Sequence, residues 1–309
     1  MKENVYLLGL HVLNALREKL PVVALETALL THGLPATVNL QTVLEMERII
    51  RDKGAVPCSV GVLNGKVIVG LNTEELSELA AVAKPLKLGL RELPYAVATK
   101  QCGGTTVSAT AFIAHRYGIR VFATGGIGGV HRDAEHSLDI SSDLNVLGRT
   151  PITVVSSGAK AILDLGLTLE YLETAGVTVV GYRTQVFPAF YAGQSPYRLA
   201  LHLDTVQKVA ELAAARDLLG SQGCILLCNP VPPEEEIPWQ ELFTLVEEAL
   251  HCAKKECISG QDITPWLLQR LSLISGGKTL SANLALLRGN AGLAAEVAGS
   301  CHARRRLSQ

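Results

Sequence analysis

The chain has 309 residues, 48% of them hydrophobic, and its 28 basic and 29 acidic side chains leave a net charge of −1. That length gives room for one large α/β domain or two small ones, and the balanced charge excludes the broad basic footprint of a nucleic-acid polymer binder. Mean hydropathy is positive, +0.26, yet no stretch reaches the ~18 uninterrupted apolar residues of a membrane-spanning helix.

Parallel strands buried on both faces, with an oligomer interface added, account for the excess apolarity. The seven cysteines are an odd number without CxxC spacing, which points to a reducing compartment rather than a disulfide framework. Met1-Lys2-Glu3-Asn4 does not read as a signal peptide, so a cytoplasmic enzyme is the expectation. Arg304-Arg305-Arg306 reads as a solvated tail.

Taken in order, Pro21–Leu25 is a short apolar strand ending at Glu26, and Thr27–Gly33 is a small-residue loop or turn. Leu40, Val43, Met46 and Ile50 fall at helical spacing between Asn39 and Lys53, and Gly54 stops that helix. Val60–Leu63 and Lys66–Val69 flank Asn64-Gly65, the strongest short-range signal for an antiparallel hairpin. Thr73 is expected to cap a helix, Lys84–Glu92 is a mixed segment, and Tyr95–Thr99 reads as a strand. Gly103–Thr106 is expected to open a helix running to Tyr117, and Ile119–Thr124 is a strand leading into Gly125-Gly126-Ile127-Gly128-Gly129. Strand Ile152–Ser156 leads to a helical stretch from about Ala159 and a second piece from Leu169 to Thr174. Val177–Tyr182 and Cys224–Cys228 are strands, with an Asp204/Gln207 capping box opening the helix between them. Everything after Pro238 reads helical, with Thr264-Pro265 as N-cap and first helical residue and a last helix from Ser281. The alternation predicts an α/β fold: a mixed, largely parallel sheet flanked by helices, plus a small antiparallel hairpin, in a single domain.

Some residues carry chemistry. Ile152–Val155 runs through Gly158 to a lone Lys160, which is either an amine held at the end of a buried strand or a loop lysine beside a capped helix. Asp139 and Asp143, four residues apart, either share a hard cation with water completing its shell or cap a helix. Glu26 ends an apolar strand and is either a carboxyl able to donate a proton or a surface residue starting a loop. Lys87 and Arg91 suit a phosphate or face solvent. His32 and His131 have no partners at zinc spacing. The Gly125–Gly129 run departs from the dinucleotide fingerprint, because His131 stands where the third glycine belongs. It is expected to let main-chain N–H groups close over a ligand.

Together these stretches resemble the pseudouridine-5′-phosphate glycosidase family. The resemblance is carried by Ala24-Leu25-Glu26-Thr27, His32-Gly33-Leu34-Pro35, Gly54-Ala55-Val56-Pro57 and Val121 to His131. It continues through Asp139-Ile140-Ser141-Ser142-Asp143-Leu144, Gly158 to Gly176, Phe187-Pro188-Ala189-Phe190, Asn229-Pro230-Val231-Pro232 and Ser281-Ala282-Asn283. It spans about residues 20–298; each motif is weak, but their order is specific.

The resemblance implies reversible cleavage of pseudouridine 5′-phosphate with water to uracil and ribose 5-phosphate. It implies a homotrimer with one divalent metal per subunit, typically Mn²⁺. Carried onto this chain, Lys160 is the covalent nucleophile, Glu26 the proton donor and Asp139 the metal position. Lys87, Val107 and Ser141-Ser142-Asp143 fall at substrate-binding positions, and Thr124 and Asn283 lie near the base or sugar. The Thr105-Thr106 helix start is expected to add backbone donors for the phosphate. One departure stands out: Gln185-Val186 replaces the acidic pair the family usually carries before Phe-Pro-Ala-Phe, which puts pocket shape or subunit contact in question. Two other readings keep these residues: a Schiff-base lyase acting on a different phosphosugar, or a phosphosugar- or nucleotide-binding protein without turnover.

Overall fold

The computed structural model describes residues 5–256, 258 and 263–307. The chain begins β1 (Tyr6–Leu8), α1 (Leu10–Arg17), β2 (Val22–Leu25), a π-helical turn (Leu29–Gly33) and α2 (Asn39–Asp52). The expected hairpin follows as β3 (Val56–Leu63) and β4 (Lys66–Val69), with Asn64 and Gly65 both at positive φ. Next come α3 (Thr73–Ala80), β5 (Leu86–Leu88), α4 (Leu93–Ala98), β6 (Gly103–Thr105), α5 (Val107–Arg116), β7 (Val121–Ala123), α6 (Ala134–Ser137), α7 (Ser142–Leu147) and β8 (Thr153–Ser156). The remainder is α8 (Leu165–Thr174), β9 (Thr178–Tyr182), β10 (His202–Leu203), α9 (Val206–Leu219), β11 (Ile225–Cys228), α10 (Trp239–Lys255), α11 (Ile263–Ile274) and α12 (Lys278–Leu307).

Among the described residues one continuous sheet runs in the order β1-β4-β3-β2-β7-β8-β11-β9-β10, with β6 joined to β3 and β5 to β6. Every pairing is parallel except β3 with β4 and β3 with β6. The expected mixed, largely parallel sheet flanked by helices is therefore the fold. The central strands β2, β8 and β11 are buried along their whole length, as strands covered on both faces must be.

Several local expectations shift. Tyr95–Thr99 is not a strand but the end of α4: Pro94 occupies the first helical turn, where its fixed φ favours a helix, and five residues are too few for periodicity to decide. Gly103–Thr105 form a strand before the helix, and Thr106 is its N-cap. Asn72, not Thr73, caps α3 in a reciprocal box with Glu75, both bonds 2.8 Å. Thr205, not Asp204, caps α9. No helix starts at Ala159, because the backbone there bridges to Ile127, and α8 begins at Leu165 behind the cap Asp164. Thr264-Pro265 lie inside the first turn of α11, and the last helix starts three residues before Ser281.

Helix α12 lies across β2, β7 and β8, with α2 and α9 beside it. A buried polar knot fixes it there. The Asn290 side chain donates to the carbonyl of Thr124 at 2.8 Å and to Ser157 Oγ at 3.1 Å, and accepts from Asn229 Nδ2 at 3.0 Å. Asn290 is fully buried, so removing its amide strands groups from three strand ends. Asn290→Ala is expected to cost about 2 kcal/mol or more, in line with leaving buried partners unsatisfied, measured as a lowered urea midpoint at unchanged slope.

Candidate active site

The site grows from strand register. The pairs Leu25↔Ala123 and Ala123↔Val155 close the ladders of β2 with β7 and β7 with β8. The next residues out, Glu26, Thr124 and Ser156, therefore stand side by side at the carboxyl ends, where open parallel sheets bind ligands. The Thr124 hydroxyl donates to Glu26 Oε1. The segment after Glu26 is pinned from below: Thr27 Oγ1 donates to the Val60 carbonyl at 2.6 Å and accepts from Thr105 N–H at 3.1 Å. Burial pushes the Glu26 carboxyl above the ordinary carboxylate range, against the opposing pull of Lys160 and the Thr124 hydrogen bond.

Lys160 arrives by an extension of the β7–β8 pairing. Ser157 N–H donates to the Gly125 carbonyl at 2.8 Å, Ile127 N–H to that of Gly158 at 3.0 Å, and Lys160 N–H to that of Ile127 at 3.1 Å. Gly158 sits at φ +77°, and a Cβ there would lie 2.0 Å from the Pro188 carbonyl oxygen, so only glycine makes this turn. Lys87 comes from β5, paired with Gly104 of β6. Burial lowers its pKa, and the Lys160 charge adds to the effect, against the pull of Asp143, Glu26 and Asp139.

These groups separate two lobes of one cleft. A polar lobe of about 440 Å³ is lined by Val107, His131, Asp139, Ser141, Ser142 and Asp143. A narrower lobe of about 60 Å³ is lined by Leu29, Thr124, Gly126, Phe190, Asn283 and Leu287. Glu26, Lys87 and Lys160 line both. All ten residues singled out in the sequence thus face one cleft. Arg91 reaches the polar lobe as well, and His32 the narrow one.

The structure adds internal contacts at two of these positions. Asp143 accepts backbone N–H groups from Ser108 and Gly128, each at 2.9 Å. It ties α5 to the glycine segment, and the Ser108 donor at the helix start is already engaged. The glycine run serves packing: a Cβ on Gly126 would lie 2.5 Å from the Phe190 ring. Phe190 itself was missed. Buried at φ +61°, it donates its N–H to the Ser157 carbonyl at 3.0 Å, a backbone region costly for an aromatic residue. Its motif was visible, but nothing in that motif signals a left-handed residue. The unusual pair Gln185-Val186 lines neither lobe; Gln185 is exposed and Val186 bridges to Arg198.

Asp139 sits on a short antiparallel bridge between Val130 and Ile140, with His131 Nδ1 4.0 Å from its carboxylate. Among the described residues no group of three or more His, Cys, Asp or Glu side chains could hold a metal. A closed structural site is thereby excluded. A half-exposed carboxylate on a hydroxyl-bearing wall fits instead a hard divalent cation that keeps most of its water.

Fold and site define an α/β enzyme with a buried acid and an amine at the carboxyl ends of a parallel sheet. The indigoidine synthase A-like family model matches residues 11–300. A pseudouridine-5′-phosphate glycosidase of Geobacillus kaustophilus is 50% identical over 93% of this chain and 96% of its own. Another, from Solibacter usitatus, is 48% identical over the same shares. Among solved structures, the prealnumycin C-glycosynthase AlnA in complex with ribulose 5-phosphate aligns with TM-score 0.91 and 36% identity over 99% of both chains. An indigoidine synthase A-like protein of Thermotoga maritima aligns with TM-score 0.88 and 35% identity over 96% of this chain and 97% of its own. The chain belongs to this indigoidine synthase A-like, pseudouridine-5′-phosphate glycosidase family.

The raised pKa of Glu26 has a thermodynamic consequence. The folded state holds its proton to higher pH than the unfolded state, so stability falls as pH rises from the unfolded pKa through the folded one. Glu26→Gln, which keeps the shape of the protonated acid, is expected to remove that slope. Urea unfolding from acid to neutral pH should show the variant gaining on the parent as pH rises; a gap independent of pH contradicts a buried, proton-holding Glu26.

Proposed function

We propose that the protein cleaves the C–C glycosidic bond of pseudouridine 5′-phosphate with water, releasing uracil and ribose 5-phosphate. The carrying observation is that Glu26 and Lys160 both line the junction between a polar and an apolar lobe. There an acid and an amine reach the same sugar carbon while phosphate and base part to either side. Membership of the family, and a structural neighbour holding a pentulose 5-phosphate, support the phosphosugar half.

In this reading the 5′-phosphate lies in the polar lobe on Lys87, with the Ser141 and Ser142 hydroxyls and the backbone at Val107 completing its surroundings. The base lies in the apolar lobe against Phe190, with Asn283 within reach of its imide edge. Binding the phosphate holds the sugar while its ring opens. Lys160 Nζ, as the free amine, attacks C1′ and the C1′–O4′ bond breaks. Glu26 gives its proton to O4′; Thr124 occupies one carboxyl oxygen and leaves the other for transfer. The ammonium formed at Lys160 gives a proton back to the Glu26 carboxylate, and the amine's lone pair then expels the base: C5 takes that proton from Glu26 as the C1′–C5 bond breaks, and C1′ becomes an iminium on Lys160. Water adds to C1′, releasing ribose 5-phosphate and the free lysine. The step needs covalent help because C5 of uracil is a poor leaving group.

Asp139 is the residue that would hold a divalent cation such as Mn²⁺, which when bound supplies positive charge to substrate oxygens. We read the protein as a cytoplasmic homotrimer. Cys58, Cys102, Cys224, Cys228 and Cys252 are outside any disulfide, and Leu218 and Leu219, 89% and 83% exposed, offer apolar surface to a neighbour. No helix among the described residues is long and apolar enough to cross a membrane.

Incubation with pseudouridine 5′-phosphate and Mn²⁺ should yield free uracil by liquid chromatography and mass spectrometry. Chelator should depress the rate and added Mn²⁺ restore it. Lys160→Ala should lose at least about 1,000-fold in turnover, the scale of removing a covalent nucleophile, and should lose the borohydride-trapped ribose 5-phosphate adduct that the parent forms. A folded Lys160→Ala variant with near-parent turnover refutes the mechanism.

A further inference from the structure

The cleft does not end at the apolar lobe. A groove of about 540 Å³ continues from it, sharing His32, Gly33, Leu34, Pro265, Leu268 and Asn283 with that lobe. Glu26, Lys87 and Lys160 do not reach this groove. Three spaces therefore stand in a row: polar lobe, apolar lobe and groove, with the reacting groups between the first two. A base in the middle space, with its glycosidic carbon at Lys160, turns its remote edge toward the groove. The groove's own walls are Tyr191, Trp266, Leu273 and Leu280, with Gln269 and Ser272 from α11. Aromatic and aliphatic walls with few polar groups suit an apolar ligand part.

Resting on the C-glycosidase reading, we propose that the enzyme also cleaves C-nucleoside 5′-phosphates whose uracil carries an apolar substituent at N1. In uracil joined through C5, the ring positions remote from the sugar that carry a replaceable hydrogen are N1 and N3. The imide at N3 matches the Asn283 carboxamide, donor to acceptor and acceptor to donor, which leaves N1 for the groove. The chemistry is unchanged: the C1′–C5 bond breaks, C5 takes a proton, and the product is the N1-substituted uracil. Protonation at C5 as the C1′–C5 bond breaks places transient positive charge on C6 and N1, which an alkyl group on N1 tolerates, so N1–H is not needed.

The test compares pseudouridine 5′-phosphate with its N1-methyl and N1-benzyl derivatives, using the full chain and reading the released base by mass spectrometry. N1-benzyl substrate is expected to be cleaved with kcat/KM within about 10-fold of the parent substrate, the range of a modest apolar misfit. Ser272→Phe, which fills the groove outside both lobes, should slow the benzyl substrate by at least about 10-fold on the same scale and leave the parent substrate unchanged. Gln269→Trp serves as a second blocking variant if the first fails to fold. Parent substrate cleaved but benzyl substrate slower by more than about 100-fold overturns the proposal and makes the groove an exit path for uracil. Equal slowing of both substrates by folded blocking variants also overturns it. If even the parent substrate is untouched, the C-glycosidase reading itself fails, and this proposal with it.

Discussion

The site depends on the lateral pairing of three parallel strands. Leu25, Ala123 and Val155 are held in line by ladder hydrogen bonds, so an acid, a hydroxyl and the approach to a lysine emerge together from residues far apart in sequence. A one-residue slip would turn each of these side chains to the opposite face of the sheet. The buried threonines lock that register. Thr27 and Thr105 both donate to the carbonyl of Val60, each at 2.6 Å, so the strand ends around Glu26 are tied together. The knot of Asn290 with Asn229, Ser157 and Thr124 does the same from the α12 side.

Electrostatics then divides the cleft. Glu26 and Asp143 bear on Lys87, as does the repulsive charge of Lys160, so the four groups share one weakly screened field. A neutral Glu26 and a cationic Lys87 are compatible with a phosphorylated ligand, because burial favours the uncharged acid while phosphate compensates the cation. The polar lobe is lined by hydroxyls and charged groups, and the apolar one is walled by leucines and the Phe190 ring. A substrate with a charged end and a planar end has one orientation that satisfies both.

Much of this was legible in the sequence where the signal is local. Strands buried on both faces show as apolar runs, and Asn64-Gly65 announces its turn through the positive φ that both residues adopt. The ordered motifs also brought all ten candidate residues into one cleft. What failed has a long-range cause. Residues 158–164 look helical, but their backbone groups are claimed by the segment at Ile127 and Val130. At Asp143 nothing local shows that Ser108 and Gly128 donate to its carboxylate. The glycine run reads as backbone that closes over a ligand, and nothing local shows that at Gly126 a phenyl ring sits against it. Asn290 lies within a helix where sequence offers no reason to single out one asparagine.

The origin of each wall explains how one scaffold can serve different aglycones. The reacting groups and the sugar-phosphate half come from the sheet and its immediate loops: β2, β5, the start of α5 and the segment from Gly128 to Asp143. The base half is closed by other parts: the π-helical turn, Phe190 and the late helices α11 and α12. Side chains on α11 can change without touching the strand register that aligns Glu26 with Lys160. Phe190 is different. Its left-handed backbone is held by a hydrogen bond to Ser157, three residues before the lysine. A change there disturbs the catalytic turn along with the base. If the apolar lobe takes the base as proposed, it has a fixed wall tied to the Lys160 segment and an adaptable wall on α11; differences in aglycone size should collect on the second.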